Sequence, residues 1–270
     1  MKRQFAANDR VSLVLDEDGI AHVRLTRPDK HNALDSAMID ALIEAGRVLF
    51  DMRELRCVVL AGDGPSFCAG IDLSGFSTAP DEDHVMLTDR THGNANRFQQ
   101  TAMQWYKLPV PVIAAVHGAC FGGGLQVAGG ADIRVTAPDA RLSIMELKWG
   151  IVPDMGGFAL WRGKVRDDVF RELTFTSREF SGEEATALGF STFCDPDPVG
   201  RATEIAREIA TRSPSAVREV KSLFNRYLDL PVDKILVEES IAQQKLFGTK
   251  NQIEAVASQF ESRDPKFADP

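Results

Sequence analysis

Residues 121–132 read FGGGLQVAGGAD and follow the apolar run VIAAV at 112–116. A glycine in a helix costs roughly 0.5–1 kcal/mol relative to alanine. Three in succession where a strand hands over to a helix therefore need a reason: something must come so close to this backbone that side chains are excluded. An earlier segment, VVLAGDGPSFCAGIDL at 58–73, has the same layout of apolar strand, glycine turn and helix start. Each leaves backbone N–H groups free at the end of a buried strand, near a helix N-terminus that favours negative charge. Two such groups aimed at one point stabilise the oxygen of a carbonyl that is becoming an enolate or tetrahedral anion. Either segment alone also reads as a tight turn and nothing more. The spacing G-x-x-x-G-G-G is not that of a dinucleotide-binding turn, and no Gly-Lys-Ser/Thr marks a phosphate loop.

The rest of the pattern surrounds these two turns with an α/β core. Val11–Leu15 and Ile20–Thr26 read as strands joined by an Asp-Glu-Asp-Gly turn, followed by a helix capped by Asp35 or Ser36. CVVLA at 57–61 and VIAAV at 112–116 are continuously apolar, as strands covered on both faces are. Arg97–Lys107 reads as a helix, residues 74–95 as a mobile loop or short helix, and Ile133–Thr136 as a further short strand. From about residue 165 the pattern is helical only: Ser181 caps EEATALG with Gly189 as its stop, and Pro198–Thr211, Pro214–Tyr227, Pro231–Phe247 and Asn251–Arg263 follow. The boundaries are a strand–helix core over 1–195 and a helical region over 196–270.

The 270 residues carry a net charge of −8 without a Lys/Arg cluster, which argues against a nucleic-acid surface. Four scattered cysteines without a CxxC read as free thiols of a reducing cytoplasm. The N-terminal MKRQFAANDR lacks a following apolar run, and no segment approaches the roughly 20 apolar residues of a membrane span, so the expectation is a cytoplasmic protein with no membrane partner. The five histidines show no paired ligand spacing, and no metal site is expected.

A third stretch, RLSIMELKWGIVPDMGG at 141–157, sets Glu146 in an apolar run and Asp154 eight residues later. Carboxylates beside a dry cavity have raised pKa values and shuttle protons near neutral pH. Taken in order, RPDKHNAL, FCAGIDL, GACFGGGLQVAGGADIR and MELKWGIVPDMGG are similar in sequence and spacing to the crotonase family of enoyl-CoA hydratases and isomerases, over roughly residues 11–263. The resemblance implies a spiral of ββα units with a C-terminal helical trimerisation region, hence a homotrimer or dimer of trimers. It also implies a coenzyme A thioester as substrate and no further cofactor. Matched by motif, the thioester carbonyl would sit between the N–H groups of Ile71 and Gly123, with glycine side chains excluded because they would collide with the thioester. Coenzyme A would lie near Lys30, His31, Ala33, Ala69, Ile71 and Asp72. His31 reads equally well as a surface histidine, and Arg90, His92 and Asn94 as acyl-pocket contacts or a solvated loop. Trp105, Trp149 and Trp161 read as core or interface residues.

Gln126 stands where hydratases of the family carry a glutamate, with Glu146 at the position of their second. An amide does not accept a proton at neutral pH, so hydration is weakened, although the Gln126 carbonyl would still orient a water. Dienoyl-CoA isomerases carry a glutamate at the place of Glu146 and an aspartate at the place of Asp154, which implies an acid–base pair. They carry a further aspartate where this chain has Gln126, so that match is incomplete too. The leading expectation is an enoyl- or dienoyl-CoA double-bond isomerase working through a dienolate. A hydratase and a non-catalytic acyl-CoA-binding protein are the alternatives.

Overall fold

The computed structural model describes residues 3–75 and 86–270. The acidic run Asp81–Asp83, read above as part of a loop, lies outside the described residues. The elements, in chain order, are β1 (Arg3–Asn8), β2 (Val11–Leu15), β3 (Ile20–Leu25), α1 (Ser36–Phe50), β4 (Cys57–Gly62), α2 (Arg97–Lys107), β5 (Val112–Val116), β6 (Ala119–Phe121) and α3 (Gly123–Gly129). They continue with β7 (Ile133–Thr136), β8 (Arg141–Ser143), α4 (Gly157–Trp161), α5 (Asp167–Thr176), β9 (Phe180–Ser181), α6 (Gly182–Leu188), β10 (Phe193–Cys194) and the helices α7 (Pro198–Ala210), α8 (Pro214–Phe224), α9 (Val232–Leu246) and α10 (Lys250–Phe260).

The larger sheet has the order β1-β2-β3-β4-β5-β7-β10, antiparallel from β1 to β3 and parallel from β3 onward. A smaller sheet, β6-β8-β9, lies apart from it. The continuously apolar strands are buried on both faces, as their pattern requires. Val58 and Leu60 of β4 and Val112, Ala114 and Val116 of β5 join the main core with α1 and α2. The alternate residues Cys57, Val59, Ala61, Ile113 and Ala115 form a second core under Ala202 and Ala206 of α7. The helix after residue 196 thus covers the sheet, and small alanines at its contact let it lie close.

The local signals act as expected at several ends. Asp16 Oδ1 accepts from the amides of Asp18 and Ile20 at 3.0 and 2.9 Å, closing the β2–β3 turn with Gly19 at φ +76°. Asp35, not Ser36, caps α1 by accepting from Met38 N at 2.7 Å. Ser181 and Glu184 form a capping box on α6, and Gly189 ends it in the left-handed conformation. The reading of the chain after residue 165 as helical only is corrected by β9 and β10. Each has two residues, too few to show alternation, and each exists because an older strand, β8 or β7, offers it an edge. Among the described residues no helix is long and apolar enough to cross a membrane.

The turns after β3 and β4 are joined by a side chain. Asn32 is fully buried with φ +56°. Its Oδ1 accepts from Arg27 N at 2.8 Å, and its Nδ2 donates to the carbonyls of Asp63 and Ser66 at 3.0 and 2.8 Å. Asn32→Ala strands one amide and two carbonyls and puts alanine at a left-handed position that asparagine tolerates better. The expected loss is about 3 kcal/mol in a urea unfolding midpoint at unchanged slope, and a loss under about 1 kcal/mol would refute this account of the junction.

Candidate active site

Three connections meet beyond the C-terminal ends of adjacent parallel strands: residues 26–34 after β3, 63–72 after β4 and 117–122 after β5. Such strand ends are where open α/β sheets place ligands. Backbone hydrogen bonds stitch the three together. Ala69 N donates to His31 O at 2.9 Å and Leu34 N to Gly70 O at 2.8 Å, while Cys68 N donates to Ala119 O and Phe121 N to Cys68 O, both at 3.1 Å. Ile71 faces Leu34 in a one-residue ladder whose bonds are made by Leu34 N and Asp72 N, so the Ile71 N–H points the other way. Gly123 is the first residue of α3, whose leading N–H groups have no acceptor within the helix. Among the described residues neither Ile71 N nor Gly123 N donates to a protein atom. They are neighbours: a Cβ on Gly70, which has φ +90°, would lie 3.7 Å from Gly123 N.

The glycine triplet has a reason at each position, and the reasons differ. A side chain at Gly124 would run into the Cys68 carbonyl, at Gly123 into Met155 Sδ at 2.8 Å and Leu34 Cδ1 at 3.0 Å, and at Gly122 it would crowd Glu146 Oε1 at 3.3 Å. Side chains are thus excluded by the protein's own atoms, where the sequence had suggested a ligand. The closest approach is backbone on backbone, at Gly124.

Glu146 follows β8 at the start of a short 3₁₀ turn and is 6% exposed. It faces a small cavity, of about 10 Å³, lined by Leu125, Ile144, Pro153, Trp161 and Phe170 with Gln126. Gln126 Nε2 donates to Glu146 Oε1 at 2.6 Å, and Gln126 Oε1 accepts from Gly157 N at 2.9 Å. Glu146 Oε2 is buried without a partner. Burial pushes the Glu146 carboxyl above its ordinary value, opposed by hydrogen bonds including that from Gln126 and assisted by the charge of Asp154. Asp154, half-buried in the turn between Pro153 and Met155, is likewise raised by burial. The structure therefore brings Gln126, Glu146 and Asp154 to one place beside Gly122 and Gly123.

Besides Ile71, the positions matched to coenzyme A divide. Lys30 and His31 are exposed, with His31 Nδ1 2.9 Å from Ser66 Oγ, and Ala33 and Ala69 are half-buried on adjoining strands of the stitched turns. Asp72 is committed inside the protein: the Ser74 hydroxyl and Arg27 hold its carboxyl down at about 2, with Arg27 Nη1 at 2.6 Å. Arg90 is tied to the carbonyls of Leu87 and Thr88 and to Gln99, which leaves it a loop-fixing role. Trp105 and Trp161 are core residues, and Trp149 is exposed. Asn32 and the Gly157 N–H went unread in the sequence. Asn32 stands inside the RPDKHNAL motif and was open to notice as a polar residue there, whereas a backbone amide leaves no signal in a sequence.

The enoyl-CoA hydratase/isomerase family model matches residues 16–270. The chain belongs to that family. It is 30% identical to the mitochondrial Δ(3,5)-Δ(2,4)-dienoyl-CoA isomerase of Rattus norvegicus over 92% of this chain and 78% of that protein. It is also 30% identical to the peroxisomal enzyme of the same name in Arabidopsis thaliana over 93% of this chain and 94% of that protein. Among solved structures, an enoyl-CoA hydratase of Bacillus anthracis superposes with a TM-score of 0.88 at 27% identity, covering 97% of this chain and all of that one. One of Mycobacterium smegmatis gives 0.85 at 28%, covering 96% and 99%. The crotonase fold and an enzyme of the enoyl-CoA isomerase/hydratase family are thereby shown.

The raised carboxyl of Glu146 has a consequence for stability. The folded state holds the Glu146 proton more tightly than the unfolded chain, whose value is near 4.5. This group's stabilising contribution is therefore fully present below the unfolded value and is lost as pH rises through the folded one. Glu146→Gln keeps an acceptor for Gln126 and removes the buried charge. Thermal unfolding should find this variant at least as stable as wild type at pH 7, with the difference shrinking below pH 4.5. A variant less stable than wild type at pH 7 would contradict the assignment.

Proposed function

We propose that the protein moves a double bond along an enoyl- or dienoyl-CoA thioester. The observation that carries this reading is Glu146: a nearly dry carboxylate with one free oxygen, within reach of the Asp154 charge and placed beside two unspent backbone N–H donors. In this reading the thioester oxygen accepts hydrogen bonds from Ile71 N–H and Gly123 N–H, which lowers the pKa of the α and vinylogous carbons. One carboxylate, Asp154 by preference, takes a proton to leave a dienolate. The second returns a proton at another carbon, so atoms and charge balance with no added cofactor. Lys30, His31, Ala33 and Ala69 line the course proposed for coenzyme A. The exposed apolar residues Leu228, Val232, Leu236, Val237, Ile241 and Phe247 would be covered in a homotrimer or a dimer of trimers.

Hydration is disfavoured because Gln126 supplies no second carboxylate, and its amide is already spent on Gly157 and Glu146.

The test is incubation with a 3,5-dienoyl-CoA in deuterated water, following the absorbance of the conjugated product and deuterium in the chain. Wild type should convert and exchange. Glu146→Gln and Asp154→Asn should each lose about 10²–10⁴-fold in kcat. Hydration of a 2-enoyl-CoA without any conversion of the diene would overturn the isomerase reading. Gly123→Val, which drives a branched side chain at Met155 and Leu34 beside the proposed donor, should lower kcat/KM by at least the roughly 10²-fold attached to losing one such donor.

A further inference from the structure

Gln126 is the one polar side chain of the α3 run LQVA, and its amide is held at both ends. A backbone amide only donates, so the Gln126 atom 2.9 Å from Gly157 N is the oxygen, and the atom 2.6 Å from Glu146 Oε1 is the NH₂ group. The orientation follows from Gly157, which leaves no freedom to flip. Glu146 Oε1 is then an acceptor in this bond and not the oxygen that carries a proton. Its partner oxygen, Oε2, has no hydrogen bond and is buried in the pocket. Gly122, whose Cβ position lies 3.3 Å from Oε1, leaves room for the pair on the other side.

We propose that Gln126 is a positioning residue that divides the two oxygens of Glu146, tethering Oε1 and presenting Oε2 alone for proton transfer. The tether also joins three separately folded pieces. Gln126 belongs to α3, which carries the Gly123 N–H; Glu146 follows β8; and Gly157 lies three residues beyond Asp154. One amide thus fixes the Asp154 turn, the reacting carboxylate and the glycine turn relative to each other. Free rotation of the carboxyl, which would exchange the oxygens, requires breaking the 2.6 Å bond. Among the groups facing Glu146, Asp154 is the titratable one whose charge acts on it, and the residues of α3, α4 and α5 that line the pocket are Leu125, Gln126, Gly157, Trp161 and Phe170.

Two substitutions separate this role from simple packing. Gln126→Met fills similar space and removes both hydrogen bonds. Gln126→Glu keeps an acceptor for Gly157 N and sets a carboxylate oxygen against Glu146 Oε1, a spacing at which two carboxylates do not both ionise. The experiment titrates Glu146 by carboxyl ¹³C NMR in full-length wild type and both variants, assigned with Glu146→Gln, and measures the pH dependence of kcat/KM on a 3,5-dienoyl-CoA. The expected midpoint for Glu146 rises in Gln126→Met. In Gln126→Glu it rises further, by at least about one unit, in two coupled steps. With Asp154 as the base and Glu146 returning the proton, the limb on which kcat/KM falls as pH rises should move up by the same shift, extending activity to higher pH with little change in KM. Unchanged Glu146 midpoints in both folded variants would overturn the proposal, and so would loss of activity at every pH with a wild-type titration. The activity arm rests on the isomerase reading. Shifted midpoints in a protein that does not convert the diene would sink that reading and leave the positioning role standing.

Discussion

The Cys68 carbonyl occupies the space where a side chain on Gly124 would stand, and this contact of one backbone with another governs the geometry around it. It lets the first turn of α3 lie against the turn after β4 closely enough that Ile71 N–H and Gly123 N–H become neighbours. α3 is only seven residues long, so its weak dipole matters less than the positions of these unspent N–H groups. Its far end is held as firmly. Lys164 Nζ and Arg134 Nη1 donate to the carbonyls of Gly129 and Ala131 at 2.9 and 2.7 Å. A side chain at Gly129 would meet Trp161, and one at Gly130 the Ala102 carbonyl. A short helix pinned at both ends does not tilt, and donors placed on it stay where they are.

Around that helix, burial does the electrostatic tuning. Burial, not a strong charged partner, raises both Glu146 and Asp154, and around Glu146 the walls are Leu125, Ile144, Pro153, Trp161 and Phe170. Asp72 shows the opposite treatment within the same turn system, held low by Ser74 and Arg27. Carboxylates of one chain are thus treated in two ways, Asp72 held low by donors and Glu146 and Asp154 raised by burial. The difference lies in hydrogen-bond donors supplied or withheld.

The sheet makes this possible by being stiff on both faces. The residues of β4 and β5 alternate between a core shared with α1 and α2 and a core covered by α7, so the strand ends from which the turns spring have little freedom. Lys221 adds a cross-tie from α8: its Nζ reaches the carbonyls of Trp105 and Val110 and the Asp132 carboxylate at 2.7 Å. The C-terminal helices thereby serve the core as well as exposing an apolar face of their own.

Much of this was readable in the chain itself. The apolar runs at 57–61 and 112–116, the paired glycine turns, the caps Asp35 and Ser181, and Glu146 and Asp154 on an apolar background are local patterns. Local patterns carry the strands, the turns, the family resemblance and the identity of the carboxylates. Other features depend on residues far apart in sequence and left no trace in it. The two-residue strands β9 and β10 exist only because older strands offer an edge. The reason for Gly124 is a carbonyl 56 positions earlier. The orientation of Gln126, and with it which oxygen of Glu146 is tethered, is decided by the Gly157 backbone amide. A sequence specifies which groups are available, but which of them approach within hydrogen-bonding or van der Waals distance is settled only when the packed chain brings them together.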